Sequence, residues 1–210
     1  MLTVRDAGRR LDDGWIWRKL SFRLPPGDRL GLVGPSGSGK TLLLRALAAL
    51  DPLDEGTIEL DDRALDDWEV PEYRARVTYV PQEATLAEGT VWGNLQAPFA
   101  FGVHQGKVFD EERAAHLLRG LGRGASFLEK ESGDLSGGER QVAALVRSLL
   151  LEPRILLLDE PAASMDDELA AGAEDLVSDW IEEDGRERAL IWTSHRADRL
   201  ERVTSRRIEL

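Results

Sequence analysis

Gly34-Pro35-Ser36-Gly37-Ser38-Gly39-Lys40-Thr41 has the spacing G-x-x-x-x-G-K-[ST] of a loop that cradles phosphates. The chemistry dictates the residue types. Triphosphate oxygens need several donors at short range, and glycines let backbone N–H groups turn inward with no Cβ in the way. The start of the following helix adds its positive dipole end. Lys40, one of four lysines in the chain, supplies a point charge for the β- and γ-phosphates, and the Thr41 hydroxyl suits Mg²⁺. Alone, this loop specifies a nucleoside triphosphate and no particular reaction, because kinases, GTPases and ATPases all use it.

A second constellation is Ile155-Leu-Leu-Leu-Asp159-Glu160-Pro161, an apolar run ending in two acids. An acid at the carboxyl end of a buried parallel strand faces the ligand crevice. Asp159 is placed to hold Mg²⁺, and Glu160 to orient an attacking water or take its proton. A third is Leu135-Ser136-Gly137-Gly138-Glu139-Arg140-Gln141. Ser136 and Glu139 have capping-box spacing. A cap alone does not call for two glycines, which weaken a helix; they make sense if a phosphate must approach the backbone.

In their order and separation along the chain, the three motifs resemble those of the ABC ATPases over essentially the whole chain. That resemblance implies a head-to-tail dimer with two ATP molecules between the subunits. Ser136, Gly137 and Gly138 would face the triphosphate gripped by the other subunit's loop. It also implies roles for Gln82 as the glutamine that contacts Mg²⁺ or water and senses a membrane partner, for His195 as the switch histidine at the γ-phosphate, and for Asp166 as the aspartate that reaches across the dimer. The expected partner is a separate integral-membrane permease. Length and the run from Gln82 to Leu95 look similar to small bacterial subunits of the iron-exporter type, while phosphate and amino-acid import subunits share much of the pattern.

Three departures from the family pattern stand out. Leu42 replaces a hydroxyl residue that would serve the α-phosphate. Ala163-Ser164-Met165-Asp166 replaces the usual Ser-Ala-Leu-Asp. The stacking aromatic expected near residues 9–11 is missing, so Trp15, Trp17 or an arginine is the candidate adenine platform, against the alternative that both tryptophans simply pack on the strand.

The elements that must position these groups are legible in outline. Residues 2–4, 16–24, 30–33, 57–60, 77–80, 155–158 and 189–193 read as strands, and 41–50, 111–120, 139–151 and 167–183 as helices. Together with the resemblance, this predicts one α/β phosphate-loop NTPase domain over 1–210: a mostly parallel sheet, an N-terminal antiparallel β subdomain, a nucleotide-binding core from 1–83 and 151–210, and an inserted helical subdomain over 84–150. The loop-rich stretch 83–102 is unusually apolar, and Trp92, Phe99 and Phe101 are candidate anchors for the membrane partner.

Bulk properties bound the alternatives. With 42% hydrophobic residues the chain can build a core, but no apolar run nears the ~20 residues of a membrane span. The opening residues lack the apolar segment of a signal peptide. The expected location is therefore cytoplasmic, on the inner membrane face through the partner. A net charge of −12 argues against a nucleic-acid surface. With no cysteine, disulfides and cysteine-based zinc sites are excluded, and no two of the three histidines share ligand spacing for a metal. Soluble repair or ribosomal ATPases and a non-catalytic nucleotide-binding regulator remain as rival functions; the chain is short for the former, and Glu160 speaks against the latter.

Leu42→Thr is expected to tighten ATP binding about threefold to tenfold, the worth of one added hydrogen bond. Calorimetric titration with ATP checks this, and no gain in affinity would count against the assignment of that position.

Overall fold

The computed structural model describes residues 1–12, 14–183 and 187–210. β1 (Leu2–Leu11) pairs antiparallel with β2 (Gly14–Leu24) and with β4 (Glu55–Leu60), and β5 (Arg63–Ala64) closes a four-stranded sheet of order β2-β1-β4-β5. Only residues 2–4 of β1 are evident from the sequence. The register shifts between Val4 and Ala7, where Asp6 adopts a φ of 47°. Such a bulge interrupts the two-residue alternation from which strands are read.

The second sheet is parallel throughout. β3 (Arg29–Val33), β6 (Val77–Val80), β7 (Ile155–Asp159), β8 (Ala189–Thr193) and β9 (Arg206–Glu209) take the order β6-β7-β8-β3-β9. β7 and β8 are buried on both faces, which is why their sequences are continuous apolar runs. Ile155, Leu157, Ala189 and Ile191 enter one core with the antiparallel sheet; Leu156, Leu158, Leu190 and Trp192 enter another with the helices of the insertion. The parallel sheet is thus the shared wall of two cores, and its carboxyl ends stay open for the site. The mostly parallel sheet, the antiparallel β subdomain and the helical insertion all match expectation.

α1 (Lys40–Leu47) buries Leu43, Leu44 and Leu47 against the sheet. It stops short of the predicted residue 50 because Ala49 turns left-handed at φ 56°. α2 (Val70–Arg76) had no signal in the sequence; its buried Tyr73 donates its hydroxyl to the Leu47 carbonyl at 2.7 Å, docking it on the end of α1.

The insertion contains α3 (Val91–Gln96), α4 (Glu111–Gly120) and α5 (Gly137–Leu150), and α6 (Asp167–Glu182) and α7 (Ala197–Val203) follow. Part of the stretch read as loop is in fact α3, capped by Thr90, whose hydroxyl accepts from Gly93 N at 3.1 Å. Buried Asn94 then pins the preceding chain, taking the Ala87 N–H at 2.8 Å and donating to the Ala87 carbonyl at 3.0 Å. Of the three aromatics singled out, Trp92 and Phe99 both pack edge-on against Phe109, with ring centroids 4.9 and 5.5 Å away. They therefore serve the insertion's own core at least in part, whereas Phe101 is 63% exposed.

Glu183 closes the end of α6 and ties it to α4. Arg113 donates to it at 3.0 Å and Arg188 at 2.7 Å, and these bonds hold its carboxyl down at about 2, against an ordinary 4.5. A depressed carboxylate stabilises the fold above its ordinary pKa, and that contribution is lost as pH falls from about 4.5 towards 2. Glu183 and Arg113 are about one-third exposed, so solvent screening reduces the worth of the contact to roughly 1 kcal/mol. Glu183→Gln is expected to lose about that much at pH 7 and almost nothing relative to the parent chain near pH 2; urea unfolding at the two pH values measures the difference.

Candidate nucleotide site

The loop between β3 and α1 has the shape its glycines require. Gly34, Gly37 and Gly39 sit at φ 149°, 82° and 91°. Space is decisive at Gly39, where a Cβ would lie 2.4 Å from Ile16 Cγ2 and 2.8 Å from Trp17 Nε1. Lys40 is buried and donates to the carbonyls of Gly34 at 2.8 Å and Pro35 at 3.1 Å, leaving one of its three N–H groups uncommitted by these bonds. The Ser38 hydroxyl is buried without a protein partner. An unpaired buried hydroxyl in a glycine-rich turn is what a phosphate oxygen would satisfy.

The acid pair is positioned by pairing between β7 and β8, which sets Asp159 opposite Thr193. The Thr193 hydroxyl donates to Asp159 Oδ1 at 3.0 Å and accepts the Glu160 N–H at 2.9 Å. Tyr79 at the end of β6 donates to Asp159 Oδ2 at 2.9 Å; burial, then the carboxylate beside it, raises the phenol pKa and keeps it a donor. Glu160 itself turns left-handed at φ 47°, a conformation that costs a non-glycine residue energy. That turn carries its side chain from the strand toward His195, whose Nε2 is 2.8 Å from Glu160 Oε1. Neither Thr193 nor Tyr79 was singled out from the sequence. Their signal was available: both fall at carboxyl ends of apolar strands, where side chains enter the crevice.

Glu160 and His195 form a partition between two cavities. On one side lies a space of about 370 Å³ walled by Ser36, Gly37, Gly39, Lys40, Thr41, Leu42, Gln82 and the partition itself. The loop, the glutamine, the acid and the histidine are thereby brought together, and Leu42 lines the same cavity. On the other side is a larger space of about 530 Å³ bordered by Ala163, Met165, Asp166, Arg196 and Arg199.

Ser136, Gly137 and Gly138 line neither cavity. Ser136 caps α5: its hydroxyl accepts the Glu139 N–H at 3.2 Å, and Glu139 accepts the Ser136 N–H at 3.0 Å. Lys130, at 2.7 Å, together with that backbone N–H, lowers the Glu139 pKa. The two glycines have different reasons. A Cβ on Gly138 would come 2.7 Å from the Ser164 carbonyl, so packing within the chain already demands it. A Cβ on Gly137 would meet only ordinary contacts at 3.5 Å, so close packing within the chain does not account for that glycine. Asp166 caps α6, accepting the Leu169 N–H at 2.8 Å. Gln141 on α5 is buried and donates to the Pro81 carbonyl at 3.0 Å, which couples the Ser136 helix to the backbone just before Gln82.

On the base side neither Trp15 nor Trp17 lines the cavity. Its wall is aliphatic, Leu11 and Ile16. Trp17 is buried with its Nε1 donating to the Gly39 carbonyl at 3.3 Å. Trp15 lies against Gly8, and the guanidinium groups of Arg18 and Arg10 sit 4.4 and 5.3 Å from its ring centre. Two guanidinium groups thus lie beside its ring.

Fold and loop together define a phosphate-loop nucleotide-binding domain of the α/β class. The ABC transporter family matches residues 17–163, and the chain belongs to that family. Among similar proteins, the "Fe(3+) ions import ATP-binding protein FbpC" of Pseudomonas fluorescens is 36% identical over 168 residues, covering 79% of this chain and 47% of that one. "ABC transporter I family member 17" of Arabidopsis thaliana is 35% identical over 178 residues, 84% of this chain and 66% of that one. The chain spans about half the length of the FbpC proteins it matches. A solved dimeric ATP-binding cassette in a post-hydrolysis state, bound to ADP and Pi, has the same fold: TM-score 0.87, 23% identity, 100% of this chain and 94% of that one.

Thr193→Val should remove a hydrogen bond to the Asp159 carboxylate and the acceptor for the Glu160 backbone N–H. The first, to a charged group, is worth about 1.5–3 kcal/mol, so kcat for ATP hydrolysis is expected to fall roughly tenfold to a hundredfold with ATP affinity little changed. Steady-state kinetics with a parallel binding titration checks the split.

Proposed function

We propose that the chain is the ATP-binding and hydrolysing subunit of an ABC transporter, working as a head-to-tail homodimer on a separate integral-membrane permease. One observation carries the reading. The loop, Gln82, Glu160 and His195 converge on one cavity, while the Ser136-Gly137-Gly138 turn, a helix N-terminus with backbone N–H groups to offer, is absent from its walls. A second copy could bring that turn to the open side of the triphosphate.

Within such a site each residue has a task. Lys40 and the loop N–H groups bind the β- and γ-phosphates. Glu160 orients the water and accepts its proton; His195, fixed 2.8 Å from Glu160, steadies the carboxylate and faces the γ-phosphate. Among the described residues no cluster of three or more His, Asp or Glu could hold a metal unaided, which fits an ion held largely by substrate phosphate. Thr41, Gln82 and Asp159 are the residues that would hold Mg²⁺, and the ion would neutralise charge on the phosphates. Release of the γ-phosphate removes the bridge between subunits and lets the dimer open.

Among the described residues no helix is long and apolar enough to cross a membrane, consistent with a subunit that reaches the inner membrane face through its partner. The names of the FbpC relatives support Fe³⁺ as cargo and import as its direction; they give no support to the exporter likeness. For the permease contact, the exposed Phe101 is the candidate apolar anchor.

Glu160→Gln should bind ATP and Mg²⁺ without turnover and accumulate as a dimer, measured by light scattering after gel filtration. A variant that retains ATP yet stays monomeric, alone and with the permease, would overturn the reading.

A further inference from the structure

Arg199 is 9% exposed and lies on α7, four residues after His195. Its guanidinium reaches three separate places. Nη1 donates to the Ala162 carbonyl at 2.9 Å, Nη2 donates to Asp167 Oδ1 at 3.0 Å, and Nε stands 3.7 Å from Glu174 Oε1. Ala162 is two residues beyond Glu160, Asp167 follows Asp166, and Glu174 is two turns further along α6. The Ala162 carbonyl also accepts the Met165 N–H at 3.3 Å, so one oxygen fixes both the turn and the arginine.

Stability alone does not call for this arrangement. Glu174 is 2% exposed; its second oxygen is 3.3 Å from Arg202 but lacks a well-formed hydrogen bond, and burial raises its pKa. Buried charges held this loosely gain little over apolar residues of the same size. What the planar, permanently charged fork does supply is geometry, since its donors leave in fixed directions. Arg196 supports it from the solvent side, donating to the same Asp167 oxygen at 2.5 Å.

We propose that Arg199 is a positioning residue: it locks the 162–167 loop to the helix after His195, so that engagement of Asp166 by a second copy sets the His195–Glu160 contact. The path is short and continuous. Asp166 caps α6 through Leu169, Asp167 begins that helix, Arg199 grips Asp167, and the chain leading into α7 carries His195. Asp166, Asp167 and Arg199 border the cavity behind the partition and not the one at the phosphate loop, and His195, part of the partition, is the one member of the path that also faces the phosphate loop. Arg199 therefore governs the hydrolytic step and not nucleotide capture. This inference rests on the dimeric reading above.

The test uses the full chain with Arg199→Lys, which keeps the charge but loses the fork, and Arg199→Gln, which loses both. Four quantities are read: Tm, ATP affinity, kcat, and ATP-driven dimerisation of each substitution combined with Glu160→Gln. For Arg199→Lys the expected result is kcat lowered about tenfold or more, as small misplacements of reacting groups do, with ATP affinity within about twofold, Tm nearly unchanged and dimerisation intact. Arg199→Gln should lower kcat at least as far. Unchanged kcat in Arg199→Lys overturns the proposal. So does a parallel loss of Tm, affinity and kcat in both variants, which would make the arginine merely structural. If Glu160→Gln alone fails to dimerise with ATP, the dimeric reading falls first and this inference with it.

Discussion

One hydroxyl group organises the reactive end of the molecule. Thr193 bridges the last residue of β7 and the first residue beyond it, giving its proton to Asp159 and accepting the backbone N–H of Glu160. The bridge exists because β7 and β8 pair in parallel with Thr193 opposite Asp159, and that register is enforced from both faces of the sheet. A slip of one residue would send Leu157, if β7 moved, or Ile191, if β8 moved, into the wrong core. The chemistry at the strand ends is thus positioned by apolar packing well below it.

Around that fixed point the loops pack closely enough to transmit position. Gly39 admits Ile16 and Trp17 against the phosphate loop, and Gly138 admits Ser164 against the start of α5. Gln141 fastens the same helix to the backbone before Gln82. The Ser136 turn, the Gln82 segment and the loop carrying Asp166 are therefore neighbours within one chain although the motifs are far apart in sequence. In a head-to-tail pair, a movement at one of them has short routes to the others.

The chemistry was more legible in the sequence than the architecture. The phosphate loop, the acid pair and the capped turn depend on local spacing, and local spacing is preserved in sequence order. The buried parallel strands were legible for the same reason, being continuous apolar runs. What stayed hidden was whatever depends on tertiary context: most of β1, whose bulge breaks alternation; α2 and α3, too short for a helical period; and β9, a half-buried edge strand of two arginines, an isoleucine and a glutamate. Among site residues, Thr193 and Tyr79 were missed because their roles come from strand pairing. The tryptophans were considered for the base because aromatics were scarce near residue 11. Their partners, two guanidinium groups for Trp15 and the Gly39 carbonyl for Trp17, could be identified only from the folded chain. The glycine pair at 137 and 138 reads alike in sequence, yet contact with the Ser164 carbonyl requires only Gly138.

The central claim, that each nucleotide is held by the phosphate loop of one copy and the Ser136 turn of the other, is tested most directly by mixing two dead variants. Lys40→Ala disables the loop, and Gly137→Asp disables the turn. In a mixed dimer both defects fall on one site and the second site is intact, so an equal mixture should recover about a quarter of the parental ATPase rate if the two sites act independently. A mixture as inactive as either variant alone, although mixed dimers are shown to form, would contradict the shared site.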